Sequence, residues 1–291
     1  MNTETYTSTN VSTIAVIGLG LMGASILKSI QKYSPTVQRY GWSNGNELVS
    51  AIESKLINHT SSLKECVTNA DLIVIATPIT EISAISTDIC KYLKKNATII
   101  EIASVKKEII PCFKKLNKNS RLIEYVHTHP MGGSEKEGFQ GSRTGIFLEK
   151  PWLILDSGAS KLSIVAEERM NWLLAVCGAK RLDFPLQKHD QLVATISHFI
   201  LNISHLIFDF VANKHPESLP LAGESFITTT RLASDNPKMI NDINIQNKYH
   251  IDNLLNEFSE FIKTSNITDN PIDYFDNNKQ LRNNWLHHRR K

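Results

Sequence analysis

Residues 13–25, TIAVIGLGLMGAS, constrain the fold more tightly than any other stretch of this 291-residue chain. A β-favouring run, Thr13 to Ile17, enters Gly18-Leu19-Gly20-Leu21-Met22-Gly23, and a segment with helical apolar spacing at Ile26, Leu27 and Ile30 follows. Strand, glycine turn and helix start therefore stand in sequence. Gly18 permits the tight turn, Gly20 lets backbone amides approach a pyrophosphate at the positive end of the helix, and Gly23 lets helix pack on strand. A glycine-rich turn without a ligand is the alternative, and the flanking strand and helix argue against it.

The same alternation continues along the chain. Val37 to Trp42, Asp71 to Pro78, Ala97 to Ile102, Arg121 to Val126, Trp152 to Asp156 and Ala179 to Phe184 read as strands, separated by helical segments such as Glu81 to Leu93 and Lys161 to Val176. The run Leu72-Ile73-Val74-Ile75 is apolar throughout, as a parallel strand buried on both faces requires. The expected fold class is α/β: an N-terminal Rossmann-type doubly wound parallel sheet with a C-terminal all-α dimerisation domain. Residues 1–12 are expected to be a disordered polar tail, 13–184 the NAD(P)-binding domain, and 185–291 an all-α substrate and dimerisation domain. Beyond Pro185 the periodicity is helical only, and its apolar faces exceed what one thin helical layer covers, which predicts a homodimer.

Charge and cysteine usage narrow the partners. A formal charge of +3 without a basic, aromatic-laced stripe argues against nucleic acid, and the basic ending 287–291 reads as a solvated tail. Cys66, Cys90, Cys112 and Cys177 are scattered without metal-ligand spacing, so free thiols, no metal site and a cytoplasmic location are expected. No apolar run approaches the length of a membrane span, and the first twelve residues lack a signal-peptide pattern. A small-molecule substrate is the expected partner.

The cofactor's ribose contact should fall at the end of the second strand, on Ser43 or Asn44, where an NAD-binding fold usually has a carboxylate. Without one, the choice tilts slightly to NADP or to use of both cofactors. Arg39 lies earlier on the strand, and Glu47 either reaches back or serves as a favourable charge at a helix start. Thr77 and Pro78, ending the next strand, should also border the cofactor. Among ten histidines, His129 is the best placed base, on a loop at the carboxyl end of a strand with Pro130 stiffening it and Gly132-Gly133 allowing close approach. A hydrogen-bonded turn histidine is its alternative, and His127 is read as ending the strand. Ser104 reads equally as a helix N-cap, Arg231 as a surface ion pair, Glu135 as an exposed loop carboxylate, and His198 as a satisfied core histidine. His189 and His198, nine residues apart on one predicted helix, do not share a face cleanly.

Together, the glycine motif, Ser104-Val105-Lys106, His129-Pro130-Met131-Gly132-Gly133-Ser134-Glu135, His189-Asp190, Ser197-His198 and Thr230-Arg231-x-Ala233 through Asn247 resemble the prephenate/arogenate dehydrogenase family of tyrosine biosynthesis. The resemblance spans about residues 13–250. It implies an NAD(P)-dependent oxidative decarboxylation in which His129 takes the ring hydroxyl's proton and Ser104 helps hold that hydroxyl. By the same resemblance Arg231 binds a substrate carboxylate, His198 and His189 lie on the substrate side, and Glu135 stands at the site mouth. Two departures fall on that side: Leu201 replaces the second histidine of Ser-His-Leu-Pro-His, and Ile240 replaces the tryptophan of Met-Trp. The competing readings are a β-hydroxyacid-type dehydrogenase or imine reductase, for which none of Lys188, Lys214 or Lys238 stands out as the required lysine, and a non-catalytic dinucleotide sensor, which would need no base.

Overall fold

The computed structural model describes residues 10–58, 62–119, 124–134, 136–156, 158, 162–265, 267 and 271–289. Seven strands form one sheet: β1 (Thr13–Ile17), β2 (Gln38–Trp42), β3 (Leu72–Ile75), β4 (Thr98–Glu101), β5 (Glu124–Pro130), β6 (Pro151–Asp156) and β7 (Lys180–Pro185). Their order is β2-β1-β3-β4-β5-β6-β7, parallel throughout except where β6 runs antiparallel to β5. Between them come α1 (Leu21–Tyr33), α2 (Glu47–Glu53), α3 (Leu63–Thr68), α4 (Ile79–Ile89), α5 (Ile109–Asn119), the short α6 (Gly138–Gly141) and α7 (Ile164–Cys177). After β7 the chain is helical: α8 (Leu186–Val193), a π-helical turn (Ala194–His198), α9 (Phe199–Lys214), α10 (Glu224–Thr229) and α11 (Pro237–Gln246), with 3₁₀ turns at Pro216–Leu221 and Arg231–Ser234.

β3, and β1 from Ile14 to Ile17, are apolar without interruption because both faces are covered. Along β1, Ile14 and Val16 point into one core with Ile26, Leu27, Ile30 and Met170, while Ala15 and Ile17 point into a second with Ile82, Ile85, Ile89 and Phe113. The period-two alternation of a strand thus divides one run of five residues between two cores. Local signals set the helix ends: Ser163 caps α7 by accepting from Ala166 N, and Gly178 ends it at φ +66°.

Three expectations are corrected. Residues 10–12 are tied down rather than part of a loose tail, since Val11 is buried and Asp71 accepts from the amides of Ser12 and Thr13, while residues 1–9 of that expected tail lie outside the described residues. His127 does not end its strand, and His129 is not on a loop. β5 runs on through Pro130 because β6 turns back beside it, pairing His129 with Leu153 and Pro130 with Trp152. The start of the expected 121–126 strand, residues 121–123, lies outside the described residues.

The stretch Leu186–Lys214 forms a continuous helical run of 29 residues that is long and apolar enough, by length and composition, to cross a membrane. The sequence hides this by scattering His189, His198 and His205 through it; histidines interrupt an apolar run without adding formal charge.

The chain divides into two compact units, one ending at Lys248 and the other running from Tyr249 to Lys291. The second holds most of α12 (Lys248–Thr264) and α13 (Pro271–Arg289), with Phe261, Ile262, Phe275 and Trp285 exposed.

Candidate active site

The strand order reverses between β1 and β3, the place where open α/β sheets bind ligands at their carboxyl edge. The glycine turn lies there. Gly18 sits at φ +93°, and a Cβ on it would stand 2.5 Å from the Ala76 carbonyl oxygen. At Gly23 a Cβ would run into the Gly18 carbonyl, so both glycines are demanded by the protein itself. Gly20 is different: nothing lies within 4 Å of where its Cβ would be. The space in front of Gly20 is open, as an approaching ligand needs. Beside the turn, the Thr77 hydroxyl oxygen is buried without a hydrogen-bond partner among the described residues. An open glycine at a helix N-terminus and an orphaned hydroxyl next to it fit a bound dinucleotide.

At the end of β2, Ser43 is half-buried and Asn44 exposed. A Cβ on Gly45 would meet the Glu47 carboxylate, which therefore lies over the turn that follows β2. Arg39 is committed elsewhere, donating to the carbonyls of Leu56 and Val37.

The end of β5 meets α8. His129 Nδ1 is 3.0 Å from His189 Nε2, and His189 Nδ1 is 2.7 Å from Asp190 Oδ1. The proton positions follow from chemistry. An ionised Asp190 only accepts, so His189 carries its hydrogen on Nδ1; its Nε2 is then a lone pair that accepts from His129 Nδ1–H. His129 Nε2 is left bare, a base. Burial works against ionising Asp190, but the His189 hydrogen bond and the amides of Lys106 and Lys107, at 2.8 and 2.9 Å, hold its carboxyl below the usual range. Burial first, then the Lys106 charge and the two neighbouring histidines, push His129 well below an ordinary histidine. It is therefore neutral at physiological pH.

Beneath this chain lies a buried ion pair. Lys106 is wholly buried, and its Nζ donates to both oxygens of Glu101 at 2.7 Å, to Ala103 O at 2.8 Å and to Thr128 O at 2.7 Å. Glu101 also accepts from the amide of Ala103 and lies 3.1 Å from His127 Nδ1. One ammonium thus ties the turn that carries Ser104 to the strand that carries His129. Ser104 is not a helix cap, since α5 begins only at Ile109; it is half-buried on the turn whose next amides Asp190 clamps.

His189 and His198 come closer in phase than their spacing predicts. Nine residues of regular α-helix place two side chains about 180° apart; the π turn absorbs one extra residue and reduces this to about 80°. Asn247 then joins them, its Nδ2 lying 2.8 Å from Asp190 O and 3.0 Å from His198 Nδ1. His198 is buried, and burial pushes it down to about 4. Arg231 opens the 3₁₀ turn that packs on α9 and is exposed. Leu201 and Ile240 are both buried. Gly132 packs against the Ile146 carbonyl, so its role is internal, while Gly133 faces open space. Glu135 lies outside the described residues.

The sequence alone assigns no role to Glu101, Lys106, Asp190 or Asn247. The last three do stand inside the motifs quoted above, which was the available signal; Glu101, ending an apolar strand with a charge, was the other.

Two family descriptions match the chain: "Prephenate dehydrogenase, nucleotide-binding domain" over residues 26–180 and "Prephenate dehydrogenase, dimerization domain" over 185–277. The chain belongs to the prephenate dehydrogenase family. Relatives in the family include the Bacillus subtilis prephenate dehydrogenase, 28% identical over 265 residues covering 86% of this chain and 67% of the relative. The Zymomonas mobilis cyclohexadienyl dehydrogenase is 25% identical over 240 residues, covering 80% of each. Among solved structures, the prephenate dehydrogenase from A. aeolicus, in complex with hydroxyphenyl propionate and NAD+, superposes with a TM-score of 0.83 at 19% identity, covering 97% of this chain and 99% of that one. Synechocystis arogenate dehydrogenase gives 0.75 at 21% identity over 95% and 99%. These structural likenesses establish the shared fold: a nucleotide-binding sheet followed by a helical domain.

Proposed function

We propose that this chain catalyses the NAD(P)-dependent oxidative decarboxylation of prephenate to 4-hydroxyphenylpyruvate, or of arogenate to tyrosine. The observation that carries the reading is the bare Nε2 of His129 at the end of the Asp190–His189–His129 chain, in a member of this family. The cofactor, held by the glycine turn, would supply the acceptor for the hydride at C4 of the cyclohexadienol ring. His129 Nε2 accepts the ring hydroxyl's hydrogen bond, takes its proton as charge develops, and returns it once loss of CO2 has made the ring aromatic. His189 and Asp190 hold the imidazole in the tautomer this requires. Ser104 steadies the same hydroxyl, and Arg231 and His198 receive the substrate's acidic groups. Glu135 keeps its place at the site mouth on the resemblance alone. Because aromatisation supplies the driving force, orientation and one base suffice.

For the cofactor, Gly18 to Gly23, Thr77 and Pro78 form the proposed cradle, with Ser43 and Asn44 near the ribose. The Glu47 carboxylate over Gly45 and the commitment of Arg39 to backbone carbonyls support NAD, against the slight lean of the sequence to NADP or to both cofactors. We take residues 13–184 as the cofactor domain and 185–291 as the dimerising, substrate-side domain. Exposed Ile196, Ile200, Leu206 and Phe210 along the long helical run support pairing with a second copy rather than insertion in a membrane. Four free thiols support a reducing, cytoplasmic location.

The test is a two-by-two assay of prephenate or L-arogenate with NAD or NADP, followed by reduced-nicotinamide absorbance and product identification. Turnover should be strongest with NAD, and His129→Asn should lower it about 10³-fold with cofactor binding intact. Silence in all four combinations while NAD still binds would overturn the reading.

A further inference from the structure

His198 and Asn247 form a unit whose proton positions are dictated by a third group. The Asp190 carbonyl oxygen can only accept, so the Asn247 side-chain atom 2.8 Å from it is the amide nitrogen. The second hydrogen of that nitrogen points to His198 Nδ1 at 3.0 Å, which must then be an unprotonated acceptor. His198 accordingly carries its hydrogen on Nε2. The alternative tautomer would set N–H against N–H in a buried place; Asn247 is only 3% exposed and His198 only 1%. Further restraint comes from Asn202, whose amide donates to the His198 carbonyl at 2.8 Å and pairs reciprocally with Asn244 on α11.

We propose that Asn247 is a positioning residue that locks His198 as a permanently neutral Nε2–H donor for an acceptor oxygen of the substrate. This rests on the reading of the site given above. Among the described residues nothing pairs with His198 Nε2, so its hydrogen is available. His198 also lies within electrostatic reach of His129. The two imidazoles are thus set in opposite senses, one presenting a bare nitrogen and the other an N–H. The ionisable groups facing His198 are Asp190, which favours its protonation, and His189, which opposes it, with His129 beyond; among the described residues no carboxylate bonds its ring nitrogens. The neutral amide of Asn247 suits this purpose where an aspartate would not.

Long-range 1H–15N correlation spectra of the full-length protein labelled with 15N-histidine read the tautomer directly. At pH 7 His198 should be neutral with its hydrogen on Nε2, and should stay so down to about pH 5. An Nδ1–H tautomer or an imidazolium at pH 7 would overturn the proposal. Asn247→Asp should move the hydrogen to Nδ1, raise the pH at which His198 titrates, and raise KM for the cyclohexadienyl acid about tenfold with kcat nearly unchanged. His198→Gln, which keeps a neutral donor, should hold KM closer to wild type than His198→Leu does. An unchanged His198 spectrum in Asn247→Asp, or equal KM values for His198→Leu and wild type, would refute it. Should no cyclohexadienyl acid be turned over, the wild-type spectrum still decides the tautomer, and the failure belongs to the assigned reaction.

Discussion

Replacing Lys106 with methionine should separate two consequences of one buried charge. The ammonium is wholly buried and its four oxygen contacts all lie between 2.7 and 2.8 Å, so methionine fills the stem's space but strands Glu101, itself 1% exposed, without its counter-charge. Breaking a buried pair from one side costs about 3–5 kcal/mol, and two backbone carbonyls, Ala103 and Thr128, lose a donor as well. Urea unfolding of Lys106→Met should therefore fall short of wild type by at least about 3 kcal/mol, and adding Glu101→Gln should recover part of that, giving a double-mutant coupling well above 1 kcal/mol. The second consequence is electrostatic. After burial, the Lys106 charge is the next largest influence depressing His129. Removing a cation makes protonation of His129 easier, so the acid limb of the kcat/KM profile should move to higher pH. A stability loss under about 1 kcal/mol, or an acid limb that does not move in a folded variant, would refute the argument.

The glycine turn makes a paired prediction. Gly20→Val should leave the fold intact, since its side chain enters open space, yet abolish NAD binding by calorimetry; Gly23→Ala should destabilise the fold itself, because its Cβ meets the Gly18 carbonyl. Acid stability follows from the histidines. His198 is depressed from 6.5 to about 4, so between those values the unfolded chain binds the extra proton, and stability present above pH 6.5 is lost as pH falls toward 4. For His198 alone this is about 3 kcal/mol between pH 7.5 and 4, and His198→Gln should show a correspondingly shallower pH dependence in urea titrations. Equal slopes for variant and wild type between pH 4 and 6.5 would remove His198 from the account.

Much of this was legible in the residues. The strand run of Thr13 to Ile17, the three glycines and the all-apolar Leu72 to Ile75 define their own local structure, because periodicity and the absence of a Cβ act over a few residues. The motifs around His129, Ser104 and Arg231 identified candidates, and the helical character after Pro185 was plain. Local sequence places His129 on a loop because the partner that extends β5, strand β6, lies more than twenty residues downstream and runs the other way.

What the sequence could not contain was the joining of distant residues. Asp190 clamps the turn after Ser104 across 84 positions, and Asn247 reaches His198 across 49. The π turn at Ala194–His198 re-phases the helix by about a fifth to a third of a turn, a change that spacing read at 3.6 residues per turn misses. Local sequence determined that there would be a strand–glycine–helix turn, a histidine at the carboxyl end of a strand and a helical C-terminal part. Tertiary structure alone decided that His129 is a neutral base with a bare Nε2. A proton's position depends on which acceptors surround it, and those acceptors come together only when the sheet edge and the helices pack.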